Sequence, residues 1–206
     1  NKGGFLFGKV GLDYFLTNRT TLSLSGFKVH GEFNPYESIN ITTDSLYNSG
    51  KVSNASQRTT TGTRAFNGQG LVFGMKQLFK KEGEELTVDA NYFSGKSTGN
   101  SLYSTNYYGT SGALTGTALE KVIGDGHDKN FILQTDFVLP FSKNYKLETG
   151  VKTSFVKTDN DVYYVRNDNL GSGWQADLNR NNHFKYQENV NAAYAILSKT
   201  FKKWDL

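Results

Sequence analysis

Histidine and cysteine, the side chains that most often bind zinc, are scarce in this sequence. Its three histidines are His30, His127 and His183, and it contains no cysteine. A zinc site needs three or four ligands, and two of them usually lie within a few residues of each other. The histidines lack that spacing, and without cysteine the chain has neither disulfides nor thiolate metal ligands. We therefore predict no metal site and no cofactor.

Three short motifs resemble chemical sites without meeting their requirements. GDGHDKN (124–130) and KTDND (157–161) carry oxygen ligands for calcium, but they lack the spacing and the distal glutamate of an EF-hand. The glycines of GQGLVFG (68–74) lie within a predicted strand, whereas a phosphate-binding loop connects a strand to a helix. No Ser, His and Asp set and no carboxylate pair is distinguished by its spacing. We predict solvated turns in the first two motifs, strand curvature in the third, and no enzymatic activity.

The composition favours strands and loops over helices. The 206 residues include 36% hydrophobic and 14% aromatic side chains together with 22 glycines. No apolar run approaches the roughly 18 residues of a transmembrane helix. The first 20 residues lack the features of a signal peptide, so we expect a mature or excised segment. The net charge of +4 comes from scattered basic residues, which predict a solvated surface and no nucleic-acid partner.

Alternation of apolar and polar residues predicts seven antiparallel strands. In LTVDANYFSG (86–95), for example, Leu86, Val88 and Ala90 alternate with Thr87 and Asp89. Most of the predicted strands have about 10 to 13 residues, whereas globular strands commonly have about 5 to 6. The predicted strands lie near residues 5–16, 21–32, 68–79, 86–95, 130–141, 147–157 and 183–198.

The connections between these strands alternate between short and long. Tight polar turns are predicted at 17–20, 80–85, 142–145 and 199–204, and long Ser, Thr, Asn and Gly-rich loops at 33–66, 96–129 and 159–182. Strands joined by tight turns must pair as hairpins, so the sheet is expected to be up-and-down and antiparallel. The short turns then lie at one end and the long loops at the other.

Aromatic residues mark both ends of the predicted strands. The set beside the tight turns consists of Phe15, Phe79, Phe141, Tyr145, Phe201 and Trp204, and the set toward the loops includes Phe131, Tyr163, Tyr164, Phe184 and Tyr186. Two aromatic bands around an alternating apolar face are typical of a transmembrane β-barrel wall. Closed strand pairing satisfies the backbone polar groups where water is absent. The predicted fold is an all-β, up-and-down antiparallel transmembrane β-barrel segment of about seven to eight long strands, forming one domain over 1–206.

Two other folds remain open from the residues alone. A soluble β-sandwich that binds carbohydrate also has alternating strands joined by hairpins. A complete small barrel of about eight strands could have a structural or adhesion role, with side chains filling its interior. Strand length, alternating connection lengths and an aromatic at every tight turn favour a barrel wall over the sandwich. The missing eighth strand counts against the complete small barrel.

Four segments centred on the tight turns resemble the barrel of TonB-dependent outer-membrane receptors of the type common in Bacteroidetes. They are GLDYFLTNRTTLSLSG, FKKEGEELTVDANYFSG, LPFSKNYKLETGVKTSFVKTDND and NHFKYQENVNAAYAILSKTFKKW. The resemblance implies a bacterial outer-membrane barrel of about 22 strands around a plug domain, which imports a nutrient with energy transmitted through TonB. The chain shows no plug and no TonB-contacting segment, and it stops at Leu206 where an eighth strand would begin. We therefore expect an incomplete barrel segment whose partners are the lipid bilayer, a plug domain, the TonB system and an unknown nutrient.

Candidate site residues follow from the same pattern. We predict that the apolar alternate residues, including Val88, Val151 and Val190, face lipid. The candidate lumen-facing residues are Asp89, Asn91, Asp136, Lys152, Asn189 and Asn191. The candidate ligand-contact residues are Tyr103, Tyr107 and Tyr108 in the predicted loop 96–129, because aromatic rings with polar tips bind sugars, peptides and cofactors.

Overall fold

The computed structural model describes residues 2–142, 144–167, 173–201 and 204–205. Its regular elements are strands, and no helix among these residues is long and apolar enough to cross a membrane. The strands are β1 (Lys2–Thr17), β2 (Thr20–Asn34), β3 (Tyr36–Tyr47), β4 (Gly50–Leu78), β5 (Glu85–Tyr108), β6 (Leu114–Ser142), β7 (Tyr145–Asn167), β8 (Gln175–Ala176), β9 (Asn182–Phe201) and β10 (Trp204–Asp205).

All the strand pairs are antiparallel, and the strands form one open sheet. Its order is β1-β2-β4-β5-β6-β7-β9-β10, with β3 paired to β4 and β8 paired to β7. This arrangement confirms the predicted all-β, up-and-down antiparallel wall. The described strands form a single layer, so the alternative of a soluble sandwich, which requires two packed sheets, is wrong.

The segments predicted as long loops are mostly strand, and that part of the prediction was wrong. Residues 33–66 contain β3 and the first half of β4, and residues 96–129 form most of the β5–β6 hairpin, whose turn lies at 109–113. These segments are mostly polar on both faces, so they lack the sustained alternation that identifies a half-buried strand. Pairing still satisfies their backbone groups, because β4 and β5 remain in register from Leu78↔Glu85 to Ala55↔Tyr108. In the third predicted loop, β7 continues to Asn167, and residues 168–172 lie outside the described part of the chain.

The tight turns lie together at one end of the sheet, which we call the turn end. They connect β1 to β2, β4 to β5, and β6 to β7. Gly83 in the second turn has φ of +77°, a left-handed conformation that glycine adopts without the steric cost of a side chain. The fourth predicted turn includes residues 202 and 203, which lie outside the described residues. The opposite end, where the long hairpins project, is called the loop end.

Successive hairpins are staggered in one direction along the sheet. Thr20 pairs with Gln77 while β4 continues to Leu78, a step of one residue. Glu85 pairs with Val138 while β6 runs four residues farther to Ser142. At the next junction Tyr145 pairs with Lys199, and β9 runs two residues farther to its end at position 201. A closed barrel needs such a stagger because its strands tilt relative to the barrel axis.

The strand register divides the side chains into two faces, since directly opposed residues point to the same side of a sheet. We call them the polar face, which holds Asp89, Asn91, Asp136 and Lys152, and the apolar face, which holds Val88 and Val151. The central rows of the apolar face contain Leu12, Leu24, Leu71, Phe73, Val88, Ala90, Phe131, Leu133, Val151, Phe155 and Ala193.

Crowding at glycines shows that the polar face is the concave side of the sheet. A Cβ atom at Gly70 would come 2.5 Å from the Phe27 ring, and one at Gly68 would come 2.8 Å from Val29 Cγ1. On the apolar face, the same atom at Gly4 or Gly8 would meet nothing within 4 Å. The strand glycines with contacts shorter than 3.4 Å all lie on the polar face: Gly3, Gly11, Gly62, Gly68, Gly70, Gly95, Gly126 and Gly150. Crowding at most of these glycines favours the polar face as the inner surface of a curved wall, although Gly99 on the same face has open space.

Aromatic pairs border the apolar face at the turn end. The Phe79 and Phe137 rings meet edge to face at 5.9 Å between centroids, and Phe141 stacks on Tyr145 at 5.8 Å. Phe15 differs from this set because it opposes Thr21 on the polar face. The side chains at positions 201 and 204 lie outside the described part of the structure.

A second aromatic border lies about one membrane thickness away. Tyr92, Phe131 and Phe155 are directly opposed on β5, β6 and β7. Phe131 and Phe141 are ten residues apart on β6, and ten steps of about 3.4 Å, tilted by roughly 40°, span about 26 Å. We call the rows between the two borders the apolar band. Of the remaining aromatics predicted for this end, Tyr163 lies on the apolar face, whereas Tyr164, Phe184 and Tyr186 lie on the polar face.

The sheet has almost no buried core of its own. Among the described residues Val29 is the only buried hydrophobic side chain, whereas Val10 is 77% exposed and Val151 57%. Burial of apolar surface stabilises a protein by about 25 cal/mol per Å², so a band of this size requires an apolar partner. A second protein layer is absent from the described strands, which leaves the band available to an apolar solvent.

Candidate functional site

Four of the six candidate lumen-facing residues lie together on the concave polar face. They are Asp89, Asn91, Asp136 and Lys152. Asp136 accepts hydrogen bonds from Gln134 Nε2 at 2.8 Å and from the Tyr194 hydroxyl at 2.6 Å. The structure thus places these four side chains where they can hydrate a passage or contact a domain inside the wall. That role stays a prediction.

The other two, Asn189 and Asn191, lie on the opposite face, so their predicted placement with this set was wrong. Asn191 opposes Thr153, and Thr153 Oγ1 donates a weak hydrogen bond to Asn189 Oδ1 at 3.4 Å. Val190, predicted to face lipid, opposes Ser154 on the polar face. Alternation within β9 separates its two faces but does not say which one faces lipid.

A contact across Gly150 explains why β9 has this orientation. Gly150 separates Asp136 on β6 from Tyr194 on β9 in one row of opposed residues. A Cβ at Gly150 would overlap both the Asp136 carboxylate and the Tyr194 ring. The glycine therefore lets the tyrosine ring cross β7 and donate its hydroxyl to the carboxylate. Tyr194 belongs to the concave face through this polar tip, although the sequence pattern treats it as apolar.

The candidate ligand-contact tyrosines lie in strand β5 and not in a loop. Tyr103 and Tyr107 point to the polar face, whereas Tyr108 belongs to the other face, where it opposes Ala55. The structure therefore brings two of the three predicted tyrosines to the concave side. Both lie near the loop end, beyond the apolar band.

Tyr103 belongs to a cluster of arginine, tyrosine and glutamate side chains. The Arg58 guanidinium lies over the Tyr103 ring at 4.4 Å, and the Arg180 guanidinium lies over the Tyr164 ring at 4.2 Å. Glu120 joins these two pairs, because its carboxylate accepts from Arg180 Nη1 at 2.5 Å and Nη2 at 3.2 Å, and its Oε1 lies 4.0 Å from Arg58 Nη2. We call these five residues the Arg–Tyr cluster.

Four strands, β4 to β7, and the turn after β8 must come together to form the Arg–Tyr cluster. Glu120 on β6 directly opposes Tyr103 on β5. Arg180 follows β8 in a turn whose Asp177 N–H donates to the Tyr164 carbonyl at 2.9 Å. The Tyr164 N–H in turn donates to Asn181 Oδ1 at 2.7 Å. This double contact fixes the 177–181 turn against the end of β7 and holds Arg180 beside Glu120.

The Arg–Tyr cluster has an excess of positive charge. Glu120 is its one carboxylate, against the guanidinium groups of Arg58 and Arg180. The hydrogen bonds with Glu120 raise the pKa of Arg180 above its ordinary value. Arg58 Nε is buried and has no hydrogen-bond partner among the described residues. A buried guanidinium donor is costly to leave unpaired, so this atom favours an acceptor from a bound ligand.

Sequence reasoning could not find the Arg–Tyr cluster. Arg58, Glu120 and Arg180 fall in three different predicted loops, and no spacing within any of them indicates a site. Only the strand register brings the loops together. Within the described residues, no three His, Cys, Asp or Glu side chains are grouped closely enough to hold a metal ion.

A comparison with protein families identifies the sheet. The model of the outer membrane protein beta-barrel family matches residues 77–206, well over half of the chain. The chain belongs to this family. Its place is therefore the bacterial outer membrane, and the apolar band, bordered by aromatics and lacking a protein partner, is the surface that contacts lipid. None of the curated proteins compared with the chain matches it.

Membership of the outer membrane protein beta-barrel family agrees with the geometry on both faces. The matched region begins at Gln77 and includes β5, β6, β7 and β9, and β1, β2 and β4 continue the same sheet. We therefore expect the concave polar face to face the lumen of the barrel. The family gives the barrel and its location, and the TonB-dependent type and the Bacteroidetes lineage stay predictions.

Proposed function

We propose that this outer-membrane barrel is a TonB-dependent receptor of Bacteroidetes type that takes up a nutrient, and that the chain forms part of its wall. The observation that carries this proposal is the Arg–Tyr cluster, which lies on the concave face beyond the apolar band. A ligand arriving from the loop end would meet these side chains before it entered the lumen. The unpaired Arg58 Nε in this position suits the first contact with an acidic ligand.

The chemistry of the Arg–Tyr cluster favours a ligand that carries both acidic and hydroxyl groups. Guanidinium groups bind carboxylates or phosphates through paired N–H donors. Tyrosine rings provide apolar contact with a polar tip, which suits sugars and peptides. An acidic saccharide or an acidic peptide meets both requirements, and we expect binding and transport without enzymatic conversion.

The lower part of the concave face suits a plug domain. The part of this face nearer the turn end presents two carboxylates, one ammonium group and one amide, from Asp89, Asp136, Lys152 and Asn91. A phenylalanine group lies closer to the loop end, where Phe27 is 6.2 Å from the ring centroids of both Phe7 and Phe93. This mixture of polar and apolar side chains would stabilise a domain inside the barrel, while TonB would supply the energy for its displacement.

The test compares growth of cells with and without the full-length protein and TonB. Cells receive media in which acidic saccharides or acidic peptides are the sole nutrient source. We expect growth on at least one source to require both proteins, and the double variant Arg58→Gln/Arg180→Gln to lower uptake by roughly tenfold or more, because hydrogen bonds to charged groups contribute about 1.5–3 kcal/mol each.

The charge-matched control is Lys80→Gln/Lys81→Gln in the tight turn at the other end of the sheet. It is expected to leave uptake unchanged. Growth that is independent of TonB on every source would contradict the transport proposal and favour a structural or adhesion role. Uptake that depends on TonB but is unaffected by the arginine variant would place the ligand elsewhere on the wall.

A further inference from the structure

We propose that the outward face of this barrel binds the phosphate groups of membrane lipids through lysines just beyond the apolar band, on the side of the loop end. The inference depends on which face contacts lipid, and it is independent of the ligand that the barrel carries. We call the two rows of opposed residues next to the aromatic border on that face the basic belt.

The first row of the basic belt contains lysines and no acidic residue. It begins one alternate position beyond the border formed by Tyr92, Phe131 and Phe155. Its opposed residues, from β2 to β9, are Lys28, Gln69, Ser94, Lys129, Lys157 and Gln187. Its lysines are exposed. The row therefore places three cations at the height where hydrocarbon ends and headgroups begin.

Two of these lysines oppose each other directly. Lys129 on β6 pairs with Lys157 on β7, so their Cβ atoms are about 4.5–5.5 Å apart. Like charges in this position destabilise a strand pair. Neither the Lys129 nor the Lys157 ammonium forms an ion pair within 4 Å among the described residues. Lys157 has only a longer-range electrostatic interaction with Asp159. An anion bound between Lys129 and Lys157 would remove the repulsion.

Two acidic residues near the first row on this face, Asp125 and Asp159, are already paired with other cations. In the second row and beyond it, Asp125 contacts Lys96 at 3.0 Å and His127 Nε2 at 2.6 Å. Asp159 contacts His183 Nε2 at 2.7 Å and Lys185 at 3.7 Å.

Asp128, next to Lys129 in sequence, lies on the concave face and accepts from Thr158 Oγ1 at 2.7 Å. On the outward face, unpaired lysines thus lie nearest the band, and the acidic residues Asp125, Asp159 and Asp161 lie farther from it. This order matches a layer of phosphate groups at the lipid surface and not a ligand in solution. Each lysine near an anionic membrane surface adds to its attraction for lipid.

The test measures lipid retention by the full-length protein purified in detergent. The probes are a diphosphoryl glycolipid (lipid A), the same lipid after enzymatic removal of its phosphates, and inorganic phosphate. Bound lipid is counted by native mass spectrometry during titration. We expect Lys129→Gln/Lys157→Gln to raise the dissociation constant for the diphosphoryl lipid roughly 30-fold. Binding of the dephosphorylated lipid is expected to stay unchanged.

The matched control is Lys9→Gln/Lys152→Gln, which removes the same charge from the concave face. It is expected to bind the diphosphoryl lipid as the unaltered protein does. The proposal would be overturned if Lys129→Gln/Lys157→Gln retained the diphosphoryl lipid as tightly as the unaltered protein. It would also be overturned if the control Lys9→Gln/Lys152→Gln lost as much affinity as that variant. Tight binding of inorganic phosphate that the variant abolishes would show that the lysines recognise a free anion and that the assignment to lipid is wrong.

Discussion

The substitution Ala193→Arg is expected to lower the free energy of unfolding of the barrel by roughly 2–4 kcal/mol, the cost of an arginine at the bilayer midplane. Ala192→Arg is expected to lower it by less than about 1 kcal/mol, through the like charge of Lys152 directly opposite. The two alanines are neighbours on β9 and have the same volume. The difference between the variants therefore reports mainly the face to which each side chain points, with a small contribution from the Lys152 charge.

The register gives the reason for this asymmetry. Ala193 opposes Val151 in the middle rows of the apolar band, whereas Ala192 opposes Lys152 on the concave face. Alternation in the sequence alone predicts the reverse result, because it groups Ala192 with Val190 and Ile196 as lipid-facing. The same pair of substitutions thus tests the location of lipid and the correction to β9.

The measurement is denaturant-induced unfolding of the full-length protein in lipid vesicles, together with the heat-dependent gel shift of folded protein recovered from the outer membrane. Two equally destabilised variants would contradict the assignment of faces. A larger loss for Ala192→Arg would show that β9 keeps the orientation predicted from its sequence.

The elements that sequence predicted well are those with one wet and one apolar side. In β5, Val88 and Asp89 lie on opposite faces. Their residue types show this in the sequence, because a face in hydrocarbon requires apolar side chains and a face in water favours polar ones. The tight turns were predicted for a related reason, since short polar segments between such strands leave little conformational choice. The strand pairing and the assignment of faces on β5, β6 and β7 follow from these features.

The failures have equally physical causes. Beyond the band both faces of β4 meet water, so a segment such as residues 55–65 carries no alternation and is interpreted as a loop. In β9, Tyr194 has an apolar ring and a polar tip, and only the neighbouring Gly150 and Asp136 determine its side. The Arg–Tyr cluster was missed because it exists only through long-range register.

The concave face is crowded, and glycines lie where neighbouring side chains leave no room for a Cβ atom. Gly70 on β4 is directly opposed by Phe27 on one side and by Phe93 on the other. The Phe27 ring is also 6.2 Å from the Phe7 ring centroid, so neighbours on two strands limit its movement. A methyl group at position 70 would meet this ring and the Tyr92 carbonyl oxygen at 2.8 Å. The ring could turn away at some cost, but the backbone oxygen could not.

The substitution Gly70→Ala is therefore expected to lower the free energy of unfolding by about 1–3 kcal/mol, the usual cost of overpacking. Its control is Gly74→Ala, on the same strand and the same face, where the nearest atoms would lie 3.6 Å away. Alanine there should raise the free energy of unfolding by about 0.5–1 kcal/mol, because glycine in a strand interior loses more conformational entropy on folding.

Both variants are compared with the unaltered full-length protein by denaturant unfolding in the same vesicles. We expect the change in the free energy of unfolding to have opposite signs for Gly70→Ala and Gly74→Ala, because the first glycine is crowded and the second has open space. Two stabilised variants would show that the concave face has room for a methyl group beside Phe27. The glycines would then reflect backbone flexibility, and the polar face would lose its main structural evidence for lying inside the barrel.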